Sequence, residues 1–574
     1  MHLIDWIVLV GTILAIVAYG LWQTRNTQNA DSFNGGDKDL KWWSIGLSIM
    51  ATQASGITFL STPGQAYENG MGFVQFYFGL PLAMVILSIF FLPIYYNLKV
   101  FTAYEYLEQR FGVKARTLTA SLFLLQRGLA AGLSIYAPSI ILSKIMNWNL
   151  VVTTFGIAFL VIVYTVFGGS KAVSKTQQQQ MTVIFLGLFA AFVTVLYRLP
   201  QEVSFFDAVN VAGNLGKMNV VDFNFDPASR YNIWSAMLGG TFLFLSYFGT
   251  DQSQVQRYLS GKTLTESRLG LIFNGLLKIP MQFIILFVGT MVFVFYLFNT
   301  APLHFNSENV SRIQQSDYAT QYKVLEIQHQ KNTEAKQNAS YELVEAQRNN
   351  DKNLIAQKTV ALKNIIQTEN KTREDAKDLI KKNDVSAQTK DTDYVFITFV
   401  MNQLPIGLVG LLLAVIFSAA MSSSASEISA LATTTSIDIY KRLVKKTASD
   451  AHYLKVSKGL TVLWGLIILS FALFASLFDN LIQAVNIIGS IFYGVILGIF
   501  FVAFFFKKIQ EKAVVLAAVI SQLMIIALFF ADKYGHVKVA FLWFNLIGPI
   551  LVITFSYVFQ YFLKEEKNEK TLDL

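Results

Sequence analysis

The sequence predicts an all-α polytopic membrane protein of about thirteen transmembrane helices, ten of them arranged as two inverted repeats of five. Three observations predict it. The 574 residues are 53% hydrophobic and only 14% charged, with a mean hydropathy of +0.46, a composition far from that of a soluble enzyme. About thirteen stretches approach the roughly 20 apolar residues that carry a helix across the hydrocarbon core. Two of these stretches, five apart in order, are interrupted by glycine and polar residues, the pattern of transporters whose substrate and ion sites form at broken helices.

The stretches are 4–22, 43–66, 72–98, 117–145, 149–168, 178–198, 232–250, 268–298, 394–430, 456–477, 480–506, 512–531 and 538–562. The first is preceded by MHLID, which lacks the basic start of a signal peptide, so it reads as a retained helix. The second mixes Thr52, Gln53, Ser55, Gly56 and Thr58 into its middle, followed by Pro63 and Gly64; the seventh ends in Gly249, Thr250, Asp251 and Gln252. Segment 1–42 is thus an extra helix with its loop, 43–198 the first repeat, and 199–231 an outer loop. The second repeat starts at 232–302, is interrupted by 303–393 and resumes over 394–506. Segment 507–574 holds the last helices and a short tail.

Lys and Arg in short loops set orientation. They follow the third, fifth, seventh, ninth and eleventh stretches (Arg110, Lys114, Arg116; Lys171, Lys175; Arg257, Lys262, Arg268; Lys441, Arg442, Lys445, Lys446; Lys507, Lys508, Lys512). This puts the N-terminus outside and the KEEKNEK tail (564–570) in the cytoplasm, in what reads as a bacterial inner membrane. The formal charge of +9 is this bias summed and does not argue for nucleic acid. Residues 303–393 are polar and nearly free of Gly and Pro. Sparse, helix-spaced apolar positions and the turn signal NND at 349–351 predict an outward helical hairpin of about 35 to 40 residues an arm, a spacer or a contact surface for another protein.

The stretch FSAAMSSSASEISA (417–430) continues an apolar run with hydroxyls that lipid cannot satisfy. Ala419, Ser422 and Ser423 share one helix face by i, i+3, i+4 spacing. They offer one carbonyl and two hydroxyls to a point that the carbonyls of Ala51 and Ala54 at the first break can also reach. Neutral oxygens without a carboxylate suit a monovalent hard cation held loosely enough to leave. The other reading is close packing through small residues.

Three stretches resemble the sodium:solute symporter family: LSIMATQASGITFLSTPGQAY its first core helix, GTDQSQVQRYLSGK its sixth-helix signature, and FSAAMSSSASEISALATTTSIDIYKR its eighth core helix. GLSIYAPSIIL (132–142) is similar to the branch that carries monocarboxylates, iodide and vitamins more than to the sugar branch. The resemblance implies a five-plus-five core of leucine-transporter type, alternating access, and sodium as coupling ion on Ala51, Ala54, Ala419, Ser422 and Ser423. Many members carry an Asp in the fifth core helix, and some use it with serines of the eighth to hold a further sodium. Here KTQQQQ puts Gln177 at that place, and the matching hydroxyl positions are Ala425 and Ser426, so one sodium per cycle is expected. Glu427, one turn beyond Ser423, pairs with a nearby Lys, sits in a hydrated inner vestibule, or takes over the lost carboxylate's role as a cation relay or protonatable group.

The expected solute contacts are Gln53, Ser55, Thr58, Tyr77 or Gln75, Tyr247 and Asn486. Ser55, Thr58 and Tyr247 match positions that line the substrate cavity in family members. Arg127, inside an apolar stretch, argues for an anionic solute such as a monocarboxylate or sugar acid, or else pairs with an acidic residue. The function predicted is sodium-coupled import of a small organic solute through the lipid bilayer. A neutral sugar is the alternative solute and a membrane sensor the alternative class. No nucleophile–base set, phosphate loop or metal cluster appears in the sequence, and cysteine is absent, so an enzyme is not expected.

Overall fold

The structure is a computed structural model that describes residues 1–24, 30–35, 39–98, 100–146, 148–474 and 481–563; the KEEKNEK tail lies outside the described residues. Among them there is no β-strand, only an isolated bridge between Leu40 and Gly261. Eleven helical runs are long and apolar enough to cross a membrane. The expected span 43–66 does not stand among them as an unbroken helix, because it is cut at Ala54 and Ser55; the expected span 232–250 is helical without interruption up to Thr250, and its break follows at Asp251.

Helix α1 (Leu3–Thr24) flanks the core. α2 (Trp42–Gln53) stops at Ala54, whose φ −81 and ψ 77 leave the helical region, and the chain restarts as α3 (Gly56–Asn69). A 3₁₀ segment, Gly70–Phe78, leads into α4 (Gly79–Ile86). α5 (Val113–Met146) is the arginine-bearing span. The spans expected at 149–168 and 178–198 are two successive spans, Leu150–Ser170 and Ala172–Tyr197, together labelled α6 (Leu150–Tyr197); the helix breaks between them at Gly169, whose φ of 57 favours glycine. α7 (Thr241–Thr250) ends at Asp251 and α8 (Gln252–Leu259) follows, the second break; α9 (Leu264–Phe298) completes that side.

The insert is helical, with α10 (Ala319–Arg348) and α11 (Lys352–Asn383) packed on each other. Asn350 takes φ 52 in the turn, and Asp351 caps α11 by accepting from the amides of Asn353 and Leu354. The arms are 30 and 32 residues, shorter than expected because Ser307–Gln314 forms a separate short helix. The buried Lys336 bonds both oxygens of Glu369 at 2.6 and 2.7 Å, and Arg373 bonds Asp391 at 2.8 Å. The insert docks beside the end of α3, where Lys217 donates to the carbonyls of Tyr67 and Glu68 and Thr392 bonds Glu68.

Burial lowers the pKa of His304 and His329 in and beside this hairpin. Both are held neutral by the fold and bind protons more readily when it opens. Their contribution to stability is therefore present above the unfolded value, about 6.5, and is lost as pH falls through it. Protection factors of the α10 and α11 amides, corrected for the intrinsic pH dependence of exchange, should fall between pH 7 and 5; protection factors constant over that range would contradict this.

The expected span 394–430 is two helices, α12 (Thr392–Gln403) and α13 (Leu408–Thr434). Pro405 cannot continue the amide ladder and Gly407 takes φ 88, so the chain turns between them. Every residue from Leu412 to Thr434 is buried. α13 packs against α6, α5, α1 and α3, so its serines stand in the middle of the bundle and not in lipid. α14 (Asp450–Leu473), α15 (Leu481–Phe505), α16 (Glu511–Lys533) and α17 (Phe544–Phe562) close the molecule.

Candidate functional site

The first break is built by the run Ala51-Thr52-Gln53-Ala54-Ser55-Gly56. Ala54 still donates to the Met50 carbonyl at 2.7 Å, Ser55 is extended (φ −76, ψ 168), and Thr58 donates to the Ser55 carbonyl at 2.9 Å. Gly56 permits α13 to approach, since a Cβ there would stand 3.0 Å from the Cβ of Ala420. Across this contact Ser422 Oγ donates to the Ala51 carbonyl at 3.1 Å. Ser423 Oγ lies 3.1 Å from the Ala419 carbonyl and 3.2 Å from that of Ala420. Both serines are 1% exposed. Ser422 and Ala51 are thus brought together across the two helices, with Ala54 at the end of α2, while Ala419 and Ser423 bond each other within α13. The carbonyls freed at the second break are already used: Tyr95 donates to Gly249 and Tyr104 to Thr250, each at 2.8 Å.

Gln177 ties the first break to α13 from the side of α6. Its amide nitrogen donates to Thr52 at 2.9 Å, Ser422 at 3.1 Å and Ser426 at 2.8 Å, and its oxygen accepts from Ser48. Ser426 also reaches Thr52 at 3.2 Å and donates to the Ser422 carbonyl at 2.9 Å. All these groups are buried. A neutral amide donor therefore occupies the centre of the hydroxyl set.

Next to the break lies a cavity of about 80 Å³. Gln53, Ser55, Thr58, Tyr77, Arg127, Tyr247 and Asn486 all line it, together with Glu427 and Tyr493. Gln75 does not; its amide holds the 222–231 loop through the Tyr231 carbonyl at 2.8 Å and the Asp222 amide at 3.2 Å. Arg127 is not a free anion hook. It bonds Asp251, Glu427 Oε1 at 3.1 Å and Tyr493 at 2.6 Å, and lies over the Tyr247 ring at 5.2 Å. The acidic-partner reading of Arg127 holds, and Glu427 pairs with an arginine of α5 and not with a basic loop.

Asp251 is the functional residue that sequence reasoning missed. Its side chain accepts from the amide and hydroxyl of Ser253 at 2.9 and 2.6 Å, capping α8, and from Tyr493 at 3.0 Å. A carboxylate directly after a helix break in a membrane span was the signal for it. Lys278 of α9 was missed as well. It is fully buried, has no hydrogen-bond partner among the described residues, and lies 5.8 Å from the Tyr77 ring.

The model of the sodium:solute symporter family matches residues 33–326 and 376–528. The chain belongs to this family. The gap between the two matched stretches falls inside α10 and α11, so part of the hairpin is additional to the family pattern. Sodium-coupled monocarboxylate transporter 2 of Mus musculus is 27% identical over 515 residues, 88% of this chain and 69% of that protein. The sodium/sialic acid symporter SiaT of Proteus mirabilis is 24% identical over 565 residues, 96% of this chain and 93% of that one. In structure the chain is similar to a Na⁺-coupled sialic acid symporter solved in a substrate-bound outward-open state, with a TM-score of 0.74, 22% identity and 99% of each chain covered. The symporter fold is thereby established, and the chain is an integral membrane protein of this class.

Proposed function

We propose that this symporter imports a small organic solute with one sodium ion per cycle, by alternating access around the first break. The observation that supports the reading is the bond from the Ser422 hydroxyl to the Ala51 carbonyl across the first break, with Ser423 buried beside it in α13. The carbonyls of Ala51, Ala54 and Ala419 and the hydroxyls of Ser422 and Ser423 are the sodium ligands. They are neutral, so the ion is held by dipoles alone and is released without breaking a buried ion pair. In this reading the ion joins α2 to α13 and holds the cavity wall in its solute-binding form. The N-terminus lies outside, the hairpin faces outward, and the membrane is a bacterial cytoplasmic membrane, as the loop charges support.

One sodium rather than two follows from Gln177. Its amide nitrogen, with two hydrogens, lies within hydrogen-bond distance of Thr52, Ser426 and Ser422, and Ser426 is the one hydroxyl left where a second ion would bind. Gln177→Asp removes the donors and supplies a charge; it should raise bound sodium from one to two per chain. Gln177→Leu leaves the hydroxyls unpaired and should cost about 1–3 kcal/mol of stability. Unchanged sodium binding in Gln177→Asp would contradict the role given to the amide. The transport reading itself is tested in proteoliposomes. Small organic acids should be taken up under an inward sodium gradient and not under an equal potassium gradient; equal uptake in both would overturn it.

A further inference from the structure

Four buried polar atoms on the cavity-lining side chains have no hydrogen-bond partner among the described residues. Two are acceptors, Gln53 Oε1 and Glu427 Oε2; two are donors, Arg127 Nε and Asn486 Nδ2. Buried polar atoms are normally paired, and each one left unpaired is costly, so four around one cavity describe the complement of a ligand.

The charges agree. Arg127 stands against two carboxylates, Asp251 and Glu427. Asp251 is satisfied by Arg127, Tyr493 and Ser253. Glu427 bonds Arg127 through Oε1, and its second oxygen, with the Ser134 hydroxyl as its nearest donor, has no hydrogen bond of good geometry. A bare anion such as a simple monocarboxylate would satisfy the two donors but would leave Glu427 Oε2 and Gln53 Oε1 facing it without a proton between them. A solute that carries a hydroxyl or ammonium group beside its carboxylate satisfies all four atoms. Its carboxylate oxygens accept from Asn486 and Arg127, and its donors face Glu427 and Gln53. The cavity also sets size: one water takes about 10–15 Å³ measured this way, so about 80 Å³ seats a solute of roughly half a dozen heavy atoms.

We infer that Glu427 and Gln53 form a donor-recognising edge, so that the solute is a small carboxylic acid bearing a hydroxyl or amino group, and unsubstituted monocarboxylates are rejected. The inference rests on this cavity being the solute site of the symporter. Rejection should be marked, because a site built to hydrogen-bond a substrate group is left with unpaired buried atoms by the analogue lacking it.

The test uses three probes of matched carbon skeleton: propionate, lactate and alanine. Their binding to the purified full-length protein is measured calorimetrically with sodium present, and sodium-induced thermal stabilisation is read separately without any acid. Lactate or alanine should bind at least tenfold more tightly than propionate, and which of the two wins tells a hydroxyl edge from an ammonium edge. In Glu427→Gln the preference should fall below threefold while propionate binding is kept. Gln53→Met, which keeps the Arg127–Glu427 pair, should lower the preference in the same direction if Glu427→Gln fails to fold. Equal binding of the three acids, a preference that survives both substitutions, or sodium stabilisation with none of the three bound would overturn the inference. Absent sodium stabilisation would instead count against the sodium-site reading on which it rests.

Discussion

Replacing Arg127 by alanine is expected to unfold or inactivate the protein. Arg127 is 3% exposed and bonded to Asp251, Glu427 and Tyr493, groups from three other parts of the bundle. Its loss leaves two carboxylates in a low-dielectric interior without their counter-charge. Breaking a buried pair in this way costs about 3–5 kcal/mol, a large part of the margin by which a protein is stable. Arg127→Lys keeps the charge but cannot reach two carboxylates and a tyrosine with one ammonium, so it should recover stability only in part. The double variant Arg127→Leu with Asp251→Asn should be more stable than Arg127→Leu alone. Thermal unfolding in detergent checks the order; an Arg127→Ala protein as stable as wild type would mean that the network carries little energy.

The second large effect is expected at Ser423. Its hydroxyl lies within 3.2 Å of the carbonyls of Ala419 and Ala420 on its own helix, in the residue next to Ser422, which reaches the first break. Ser423→Ala removes one neutral ligand from a set of five and adds no bulk, so the helix should stay in place. Loss of a single hydrogen-bond-strength contact to a charged species is worth about 1.5–3 kcal/mol. The sodium needed for half-maximal stabilisation should therefore rise at least tenfold, with the sodium-free melting temperature nearly unchanged. Ser423→Thr keeps the oxygen and should restore much of the affinity. A Ser423→Ala protein with wild-type sodium dependence would remove Ser423 from the site.

The parts of this molecule legible in the sequence are those set by short-range chemistry. The spans follow from apolar length, and the breaks from Gly and polar residues in apolar runs at 52–58 and 249–252. The serine face of α13 follows from helical spacing. Four of the expected solute contacts, Gln53, Ser55, Thr58 and Tyr247, fall within a few residues of the two breaks, and they line one cavity together with the more distant Tyr77. What the sequence did not show is long-range pairing. Arg127 and Asp251 are 124 positions apart, and nothing local in LFLLQRGLAAG says which carboxylate will meet the guanidinium. An anion argument drawn from Arg127 alone therefore pointed at the solute where the fold supplies the partner itself. The split between α12 and α13 was written in LPIG but outweighed by the apolar run around it. Lys278 was hidden for a similar reason: it lies inside the expected span 268–298, and nothing local in KIPMQF says that the bundle will enclose it.

The hairpin shows how a membrane transporter carries an addition without disturbing its core. Its buried ion pairs, Lys336 with Glu369 and Arg373 with Asp391, lie in the insert and its base. Its contacts with the bundle gather at the ends of α3 and α9. The core is left to the two breaks and the serine helix, where the proposed coupling takes place.

The measurement that tests the central claim most directly is equilibrium binding of radioactive sodium to the purified wild-type protein, with Ser423→Ala beside it and potassium as competitor. The account predicts one sodium bound per chain, not displaced by potassium, and a loss of most of that binding in Ser423→Ala. Two sodium ions per wild-type chain, or one that Ser423→Ala leaves untouched, would contradict it.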